Sequence, residues 1–245
     1  MHMRERGFLI PAVNDGNVDY QRCAEQLKQS ILKWHPDADI TVVTRDMLPY
    51  GDQGGQANDW QMYRVSPYHE TIKLEADMVA CSHIDHWWTM FRHRDMVIST
   101  GCRDWRDQKS LCRRYRQTWD LNYLPDVYNA MTYWRVSHTA KEFFNLCRLL
   151  WQNWDEFRKL LKHPPQHAST DLIYAMVAVI MGSDKVTLPP HTGPSIVHMK
   201  QHVAGTAQED WTQEFTWEHD QGWIRINTVT QWGLLHYINK TWTLD

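Results

Sequence analysis

The first fifty residues contain two short apolar runs separated by one segment with helical periodicity. Residues 7–13 (GFLIPAV) form an apolar run that ends in the turn-forming sequence Asn14-Asp15-Gly16. Apolar residues then recur every three or four positions, as on one face of a helix, at Tyr20, Ala24, Leu27, Ile31 and Trp34. Residues 40–44 (ITVVT) are β-branched and predict a second strand. This order predicts a βαβ unit, and therefore a parallel sheet covered by helices.

Capping residues and short apolar runs mark the elements that follow. Asn17 or Asp19 is available as the N-cap of the first helix. Ser137 or Thr139 begins a long helix that continues to Phe157, and residues 169–171 cap a more apolar helix that ends at Gly182. Further strands are predicted at residues 71–74, 78–80, 96–100, 186–188, 195–199 and 223–227, and a polar loop at residues 51–61. The predicted class is α/β, with a mixed, mainly parallel sheet flanked by helices.

Length and composition fit one compact domain covering residues 1–245, with a net charge of −3. The longest uncharged apolar stretch, residues 172–181, is about half of the roughly 20 residues needed to cross a bilayer. The N-terminus lacks the apolar core of a secretory signal, so we expect a cytoplasmic protein without membrane association. Five widely spaced cysteines without a C-x-x-C pair predict neither a disulfide framework nor a zinc ribbon.

The candidate metal ligands are Glu75 and Asp77, at the end of a predicted strand. The sequence has two other acid-x-acid pairs, Asp37/Asp39 and Glu218/Asp220, but only Glu75/Asp77 interrupts an apolar strand. A carboxylate there is costly unless it is paired or bound to a cation. Two carboxylates at a strand end suit Mg²⁺ or Mn²⁺, and the alternative interpretation is a solvated turn.

Five segments in this order resemble GT-A fold glycosyltransferases of the glycogenin-like kind. The resemblance covers roughly residues 7–211 and rests on order and spacing. The segments are GFLIPAVND from residue 7, ETIKLEADMVA from residue 70, YNAM from residue 128, STD from residue 169 and IVHMK from residue 196. The resemblance implies a single GT-A (Rossmann-like) domain that transfers a hexosyl or pentosyl group from a nucleoside-diphosphate sugar. In this interpretation residues 1–100 bind the nucleotide sugar, and residues 101–245 supply the acceptor side and the metal and diphosphate segment.

The resemblance also implies a role for each matching residue. The donor base and ribose would lie at Ala12, Val13, Asn14 and Asp15, and the diphosphate at Lys200. The metal, Mn²⁺ or Mg²⁺, would be held by Glu75, Asp77 and His198, with glutamate replacing the usual first aspartate. Asn129 would contact the sugar, and Asp171 would lie near the reacting carbon. The family's Lys-Pro-Trp after the metal histidine is absent as such, and Trp211 is the nearest candidate.

The stretch from Arg92 to Arg116 is the candidate acceptor surface, with eight Lys or Arg against three Asp. Basic residues interleaved with aromatic ones are typical of surfaces that bind nucleic acid. The residues proposed to contact the acceptor are Arg103, Trp105, Arg106, Arg113 and Arg114. The best hypothesis is a hydroxymethylated base in bacteriophage DNA, which would place the enzyme in the host cytoplasm. The alternative interpretation is a solvated basic helix whose charges are paired elsewhere.

Three functions therefore remain open. The first is sugar transfer to modified DNA, and the second is the same chemistry on a carbohydrate, lipopolysaccharide or protein acceptor. The third is a sugar- or nucleotide-binding protein with the same fold and no catalysis. Of the 14 tryptophans, Trp105, Trp119 and Trp211 are expected near the cleft, where their faces could stack on a base or a sugar. The cluster of His83, Asp85 and His86 is interpreted as structural, because a zinc site would need further ligands.

Overall fold

The computed structural model describes residues 3–16, 18–110, 116–188 and 193–244. The strands in these ranges are β1 (Arg4–Pro11), β2 (Ile40–Val43), β3 (Tyr68–Leu74), β4 (Met78–Ala80), β5 (Met96–Thr100), β6 (Cys102–Arg103), β7 (Lys109–Ser110), β8 (Val127–Arg135), β9 (Ile196–His198), β10 (Trp217–Asp220), β11 (Trp223–Ile226), β12 (Val229–Gln231) and β13 (Leu234–His236). The helices are α1 (Tyr20–Trp34), α2 (Met62–Val65), α3 (His86–Phe91), α4 (Gln117–Leu121), α5 (His138–Gln152), α6 (Trp154–Leu160), α7 (Thr170–Met181), α8 (Ser183–Val186) and α9 (Gln201–Ala204).

The central sheet has five strands in the order β2-β1-β3-β8-β5. β1 is parallel to β2 and β3, whereas β8 is antiparallel to β3 and β5. Only β8 therefore runs against the other four strands. The predicted α/β class, with a mixed and mainly parallel sheet flanked by helices, is confirmed.

The first βαβ unit forms as its periodicity predicts. α1 joins β1 to β2, and Asp19 is its N-cap, with Oδ1 accepting a hydrogen bond from the Arg22 backbone N at 3.1 Å. The alternative cap, Asn17, lies outside the described residues. Ala24, Leu27 and Ile31 are fully buried, so the apolar face of α1 packs into the core. Because β1 and β3 are parallel, their carboxyl ends lie at the same edge of the sheet.

A second sheet joins the segment that follows β3 to the C-terminal residues. Its strand order is β4-β13-β9-β6-β7, with β13 antiparallel to β4 and parallel to β9. In this register His236 lies opposite Met78 on one side and His198 on the other. The predicted strands at 78–80 and 195–199 correspond to β4 and β9, but β13 was not predicted. β13 is what brings the end of the chain to residues 75–77.

Three predicted elements differ from the structure. Residues 51–61 were expected to be a loop, but Gly55–Gln61 is a 3-10 helix. The strand expected at 186–188 is the end of α8 followed by an isolated bridge between Ile98 and Thr187. The long helix expected to reach Phe157 is divided at Asn153 into α5 and α6. The Asn153 side chain donates to the Leu149 carbonyl at 2.9 Å, and such local bonding competes with helix continuation.

Side-chain caps define the two long helices of the second half. The Ser137 hydroxyl, not that of Thr139, caps α5 by accepting from the Ala140 backbone N at 3.1 Å. Ser169 caps α7 in the same way through the Leu172 backbone N at 3.3 Å. α7 is the most apolar helix and packs on β8 and α5. Among the described residues, no helix combines the length and apolarity needed to span a membrane.

Gly233 is the glycine on which the placement of β13 depends. Its backbone has φ +84°, and a Cβ atom there would lie 2.7 Å from the Ser195 carbonyl oxygen. Its N–H donates to the Ser82 hydroxyl at 2.9 Å, and its carbonyl accepts from the Cys81 N–H at 2.7 Å. We expect Gly233→Ala to lower the free energy of unfolding by about 2 kcal/mol, since it combines left-handed strain with a backbone clash.

Urea denaturation followed by circular dichroism measures this effect. Gly205→Ala is the matched control, because Gly205 has φ +79° but open space around the position of its Cβ. The control should lose only about 1 kcal/mol, from the left-handed conformation alone. Equal losses at the two positions would contradict the clash.

Candidate functional site

A cavity of about 370 Å³ opens at the carboxyl ends of β1 and β3. It lies at the edge of the sheet where ligands bind in open α/β folds. The predicted site residues that line it are Val13, Asp15, Glu75, Asp77, Asp171, His198 and Lys200. Residues from four separate parts of the chain therefore meet in one space. The cavity also contains Arg116 and Tyr128, together with three residues that the sequence did not single out, Asp59, His236 and Lys240.

Asp77 is the centre of a charged cluster. Its Oδ2 atom lies 3.0 Å from His236 Nε2 and accepts a hydrogen bond from Lys240 Nζ. Glu75 Oε2 lies 3.6 Å from His236 Nδ1. Within the described ranges, Glu75, Asp77 and His236 each offer a ligand atom within 4.8 Å of the others. Two carboxylates and an imidazole form a donor set suited to Mn²⁺ or Mg²⁺.

The charges in this cluster influence one another. Burial alone would raise the pKa of Asp77, but His236 and Lys240 outweigh it and hold the pKa below its usual range. Burial would lower the pKa of Lys240, but the Asp77 carboxylate raises it overall. Burial raises the pKa of Glu75 to about 7, although His236 opposes the shift. At neutral pH the site therefore holds an ionised Asp77 beside a charged Lys240.

His198, the predicted third metal ligand, lies beside this cluster. Its ring centroid is 4.8 Å from that of His236, and its Nδ1 is 2.7 Å from the Tyr128 hydroxyl. The same hydroxyl also hydrogen-bonds to Nδ1 of His236. Burial, followed by the neighbouring His236, lowers the pKa of His198, so its imidazole is neutral. Tyr128 thus holds the two rings in place, and His236 is the histidine grouped with both acids.

Two of the four residues predicted at the end of β1 line the cavity. Val13 and Asp15 do so, whereas Ala12 is fully buried and its N–H donates to the Val43 carbonyl at 2.8 Å. The Asn14 side chain accepts from the Gln21 N–H at 3.1 Å. Ala12 and Asn14 therefore support the loop, and the side chains of Val13 and Asp15 face the cavity.

Asp171 is held by two contacts at the start of α7. Its Oδ1 accepts from the Asn129 N–H at 2.7 Å, and its Oδ2 pairs with Arg116 Nη1 at 2.5 Å. The Asn129 side chain is 1% exposed and donates to Asp59 Oδ2 at 2.8 Å. Asp59 Oδ2 also accepts from Lys73 Nζ at 2.6 Å. Asn129 therefore contacts two carboxylates that line the cavity, Asp171 through its backbone and Asp59 through its side chain. Asn129 itself does not line the cavity.

Three of the five predicted acceptor residues lie within the described ranges, and none of the three lines the cavity. Arg103 pairs with Asp107 at 2.5 Å, and Arg106 pairs with Asp104 at 2.6 Å. The Trp105 indole N–H donates to the Ala204 carbonyl at 3.0 Å, and its ring packs on Phe215. Arg113 and Arg114 lie outside the described residues.

The expectation of open tryptophan faces near the cleft is wrong for Trp119 and Trp211. Trp119 is 3% exposed, and Trp211 is fully buried with its N–H donating to the Tyr237 carbonyl. Neither ring has a free face on which a base or sugar could stack. The structural reason is that large apolar rings are removed from water when the fold offers a partner, and Trp211 packs on Trp217 and Trp242.

Comparison with solved structures identifies the fold. The mouse xyloside xylosyltransferase 1 apo structure superposes with a TM-score of 0.52 and 10% identity, over 95% of this chain and 97% of that chain. The protein has the GT-A glycosyltransferase fold. The bifunctional glycosyltransferase WbbM gives a TM-score of 0.49 and 10% identity over 80% of this chain and 40% of that one. The glycosyltransferase GlyE of Streptococcus pneumoniae gives a TM-score of 0.48 and 9% identity, over 96% of this chain and 55% of that one. No family model matches the sequence, and no curated protein does.

His236, Lys240 and Asp59 are the residues of this GT-A cavity that sequence reasoning missed. A signal for the first two existed, because Lys240-Thr241-Trp242 follows His236 as a Lys-x-Trp sequence. This is the order that the resemblance predicts after the metal histidine, and it lies beyond Trp211, the candidate named from the sequence. Trp242 is buried and packs on Tyr237, which anchors the segment that carries Lys240. No comparable signal marks Asp59, which lies in the polar stretch interpreted as a loop.

A second cluster of histidines lies outside the cavity. His35, His83 and Asp85 have ligand atoms within 4.8 Å of one another. His35 Nε2, however, accepts a hydrogen bond from the Ile84 N–H at 3.0 Å. That bond joins the end of α1 to the loop before α3, and this group differs from the predicted cluster of His83, Asp85 and His86 in having His35 in place of His86.

Proposed function

We propose that the protein is a metal-dependent glycosyltransferase that moves a sugar from a nucleoside-diphosphate donor to an acceptor hydroxyl. The observation that carries the proposal is the meeting of Glu75, Asp77 and His236 with two lysines, Lys200 and Lys240, in one cavity. Carboxylate and imidazole ligands fit Mn²⁺ or Mg²⁺, and the lysines fit a diphosphate. The GT-A fold supports the same class of reaction.

In this mechanism the residues of the chain stabilise the departing diphosphate. Negative charge grows on that group as the sugar bond breaks, and the ammonium groups of Lys200 and Lys240 neutralise it. A divalent cation held by Glu75, Asp77 and His236 would supply Lewis acidity to the same oxygens. Tyr128 keeps His236 oriented through its hydrogen bond to Nδ1.

The opposite wall of the cavity would face the sugar. The Asp171 carboxylate is oriented by Arg116 and the Asn129 backbone, and it would stabilise positive charge on the reacting carbon. Val13 and Asp15 would contact the nucleoside. Residues 1–100 would thus supply Val13, Asp15, Glu75 and Asp77 to the donor site. Residues 101–245 would supply the acceptor side and the metal and diphosphate segment with Lys200, His236 and Lys240.

For the acceptor we propose a hydroxymethylated base in DNA, as in a bacteriophage DNA-modifying enzyme. The support is the excess of basic residues from Arg92 to Arg116. Within that stretch, Arg103 and Arg106 already have acidic partners. Arg116 also has an acidic partner, Asp171, but it lines the donor cavity, so it is the described arginine of this stretch that an acceptor at the cavity would meet. A base in duplex DNA would have to be flipped out to reach the cavity.

Mass spectrometry of reaction products tests this function directly. The protein is incubated with a panel of nucleotide sugars, Mn²⁺ and DNA that contains hydroxymethylcytosine. We expect Mn²⁺-dependent release of nucleoside diphosphate, loss of release with EDTA, and recovery when Mn²⁺ is added back. A hexose or pentose adduct on the DNA would support the acceptor, whereas transfer only to a carbohydrate would replace it. Absence of release from every donor would favour a non-catalytic binding protein.

A further inference from the structure

A groove of about 380 Å³ adjoins the donor cavity. We call it the α4 groove, and the residues that line it are Arg116, Gln117, Thr118, Trp119, Leu121, Lys162, His163, Pro164, Gln166, His167 and Ser169. Arg116 lines both the groove and the cavity. We propose that the α4 groove binds the phosphate backbone of a DNA strand and presents a nucleotide of that strand to the donor sugar. This inference rests on the proposed function and identifies where its acceptor lies.

The groove lies on the side of the cavity where the sugar would react. Ser169, the N-cap of α7, lines the groove, and the next residues, Thr170 and Asp171, line the cavity. The Arg116 to Asp171 ion pair, at 2.5 Å, forms the boundary between the two spaces. A hydroxyl that entered from the groove would therefore arrive beside Asp171.

The charge of the groove favours an anion. None of the described residues that line it carries a carboxylate, whereas Arg116 and Lys162 carry positive charge. Lys162 is exposed and has no ion-pair partner among the described residues. Its neighbours on α6 differ, because Arg158 pairs with Asp155 at 2.9 Å and Lys159 with Glu156 at 2.8 Å. Lys162 is thus placed to contact a phosphate without first breaking a protein ion pair.

The walls of the groove are joined by hydrogen bonds. Thr118 Oγ1 lies 2.7 Å from His163 Nδ1. The Asn122 amide donates to the carbonyls of Thr118 and Leu161, both at 2.9 Å. These bonds connect α4 to the end of α6, so the groove is formed before a ligand binds. A preformed site avoids the entropic cost of ordering a loop on binding.

The extent of the depression favours a polymer over a single sugar. Gln166 and His167 line the α4 groove and also a further depression bordered by Trp151 and Trp154. That depression is lined as well by Asp155 and Glu156, which are paired with Arg158 and Lys159. The Trp154 indole N–H donates to the Gln166 carbonyl at 2.9 Å, which fixes this part of the loop. Both tryptophans are half-buried, so each retains an exposed part that a base could contact. The path from the donor cavity thus continues across the surface beyond one nucleotide.

Fluorescence anisotropy with a labelled single-stranded oligonucleotide tests the proposal. Lys162 has φ +52°, so Lys162→Asn is chosen because asparagine tolerates a left-handed backbone. We expect this variant to bind about tenfold more weakly at low salt. The slope of log Kd against log salt should fall by about 0.7, the value for one phosphate contact on a single strand. Lys159→Asn, three residues away and outside the groove, should match the wild type.

Several outcomes would overturn the proposal. One is the absence of salt-sensitive binding by the wild type, and another is an equal effect of Lys159→Asn and Lys162→Asn. A third is displacement of the probe by a phosphorylated oligosaccharide and not by unlabelled DNA, which would assign the groove to a phosphorylated glycan. Mn²⁺-dependent donor hydrolysis by the wild type is measured separately without DNA. If hydrolysis is absent while the Lys162 effect is present, the transferase function fails and the DNA site remains.

Discussion

Asp77→Asn is expected to abolish Mn²⁺ binding and to reduce donor turnover by about 10³-fold, equivalent to about 4 kcal/mol. Asp77 is buried, and its Oδ2 atom contacts both His236 and Lys240. A neutral amide would lose the charge that holds a divalent cation and would weaken the orientation of both neighbours. The lysines would still attract the diphosphate, so donor affinity should fall less than turnover.

Electron paramagnetic resonance of Mn²⁺ and the rate of nucleoside-diphosphate release measure the two effects. Asp220→Asn is the matched control, because Asp220 is the second acid of Glu218-x-Asp220 and lies exposed on β10. The control should retain wild-type Mn²⁺ affinity and turnover. If Asp77→Asn keeps its Mn²⁺ affinity and stays within threefold of wild-type turnover, the proposed metal site is wrong.

Lys73→Met is expected to lower the free energy of unfolding by about 4 kcal/mol. Lys73 is 1% exposed, and its ammonium lies 2.6 Å from Asp59 Oδ2. Removal of the lysine leaves the Asp59 carboxylate largely buried with only the Asn129 amide as a described hydrogen-bond donor. Desolvation of an unpaired charge is the physical cause of the loss.

Chemical denaturation in urea measures this loss of stability. Lys28→Met is the control, because Lys28 pairs with Glu25 at 3.4 Å on the surface and should contribute less than about 1 kcal/mol. Asp59→Asn combined with Lys73→Met should recover part of the stability, since no buried charge then lacks a partner. A loss below about 1 kcal/mol for Lys73→Met alone would show that Asp59 is solvated from the cavity.

The sequence predicted the parts of the fold that depend on local periodicity. The spacing from Tyr20 to Trp34 predicted α1, and the β-branched residues from Ile40 predicted β2. β13 was not predicted, although its three residues make it no shorter than β4 and β9, which were predicted. His236, the histidine grouped with the two acids, belongs to β13. The parallel register of β13 and β9 places it beside His198. Without β13, sequence reasoning had no physical basis for a choice between the two.

The charges of the basic stretch show a second limit. Arg103 and Asp107 are four residues apart, and Asp104 and Arg106 are two apart, so the pairing was open to prediction from spacing. The net charge of the segment counts these residues without showing that they form ion pairs with one another. Lys162, by contrast, lies in another part of the chain, and only the tertiary structure brings it near Arg116. Local charge counts therefore identified a basic region but could not identify the groove beside the cavity.

The late position of β13 in the chain has a consequence during protein synthesis. Asp77 and Lys240 are separated by 163 residues, so a ribosome needs roughly 10 to 30 s between them. Throughout that interval β4 lacks the partner strand that covers one of its edges, and its three residues are all apolar. An unpaired apolar edge is a template for aggregation. Chains released early should therefore depend on chaperones, and a stop codon before residue 234 should yield insoluble protein.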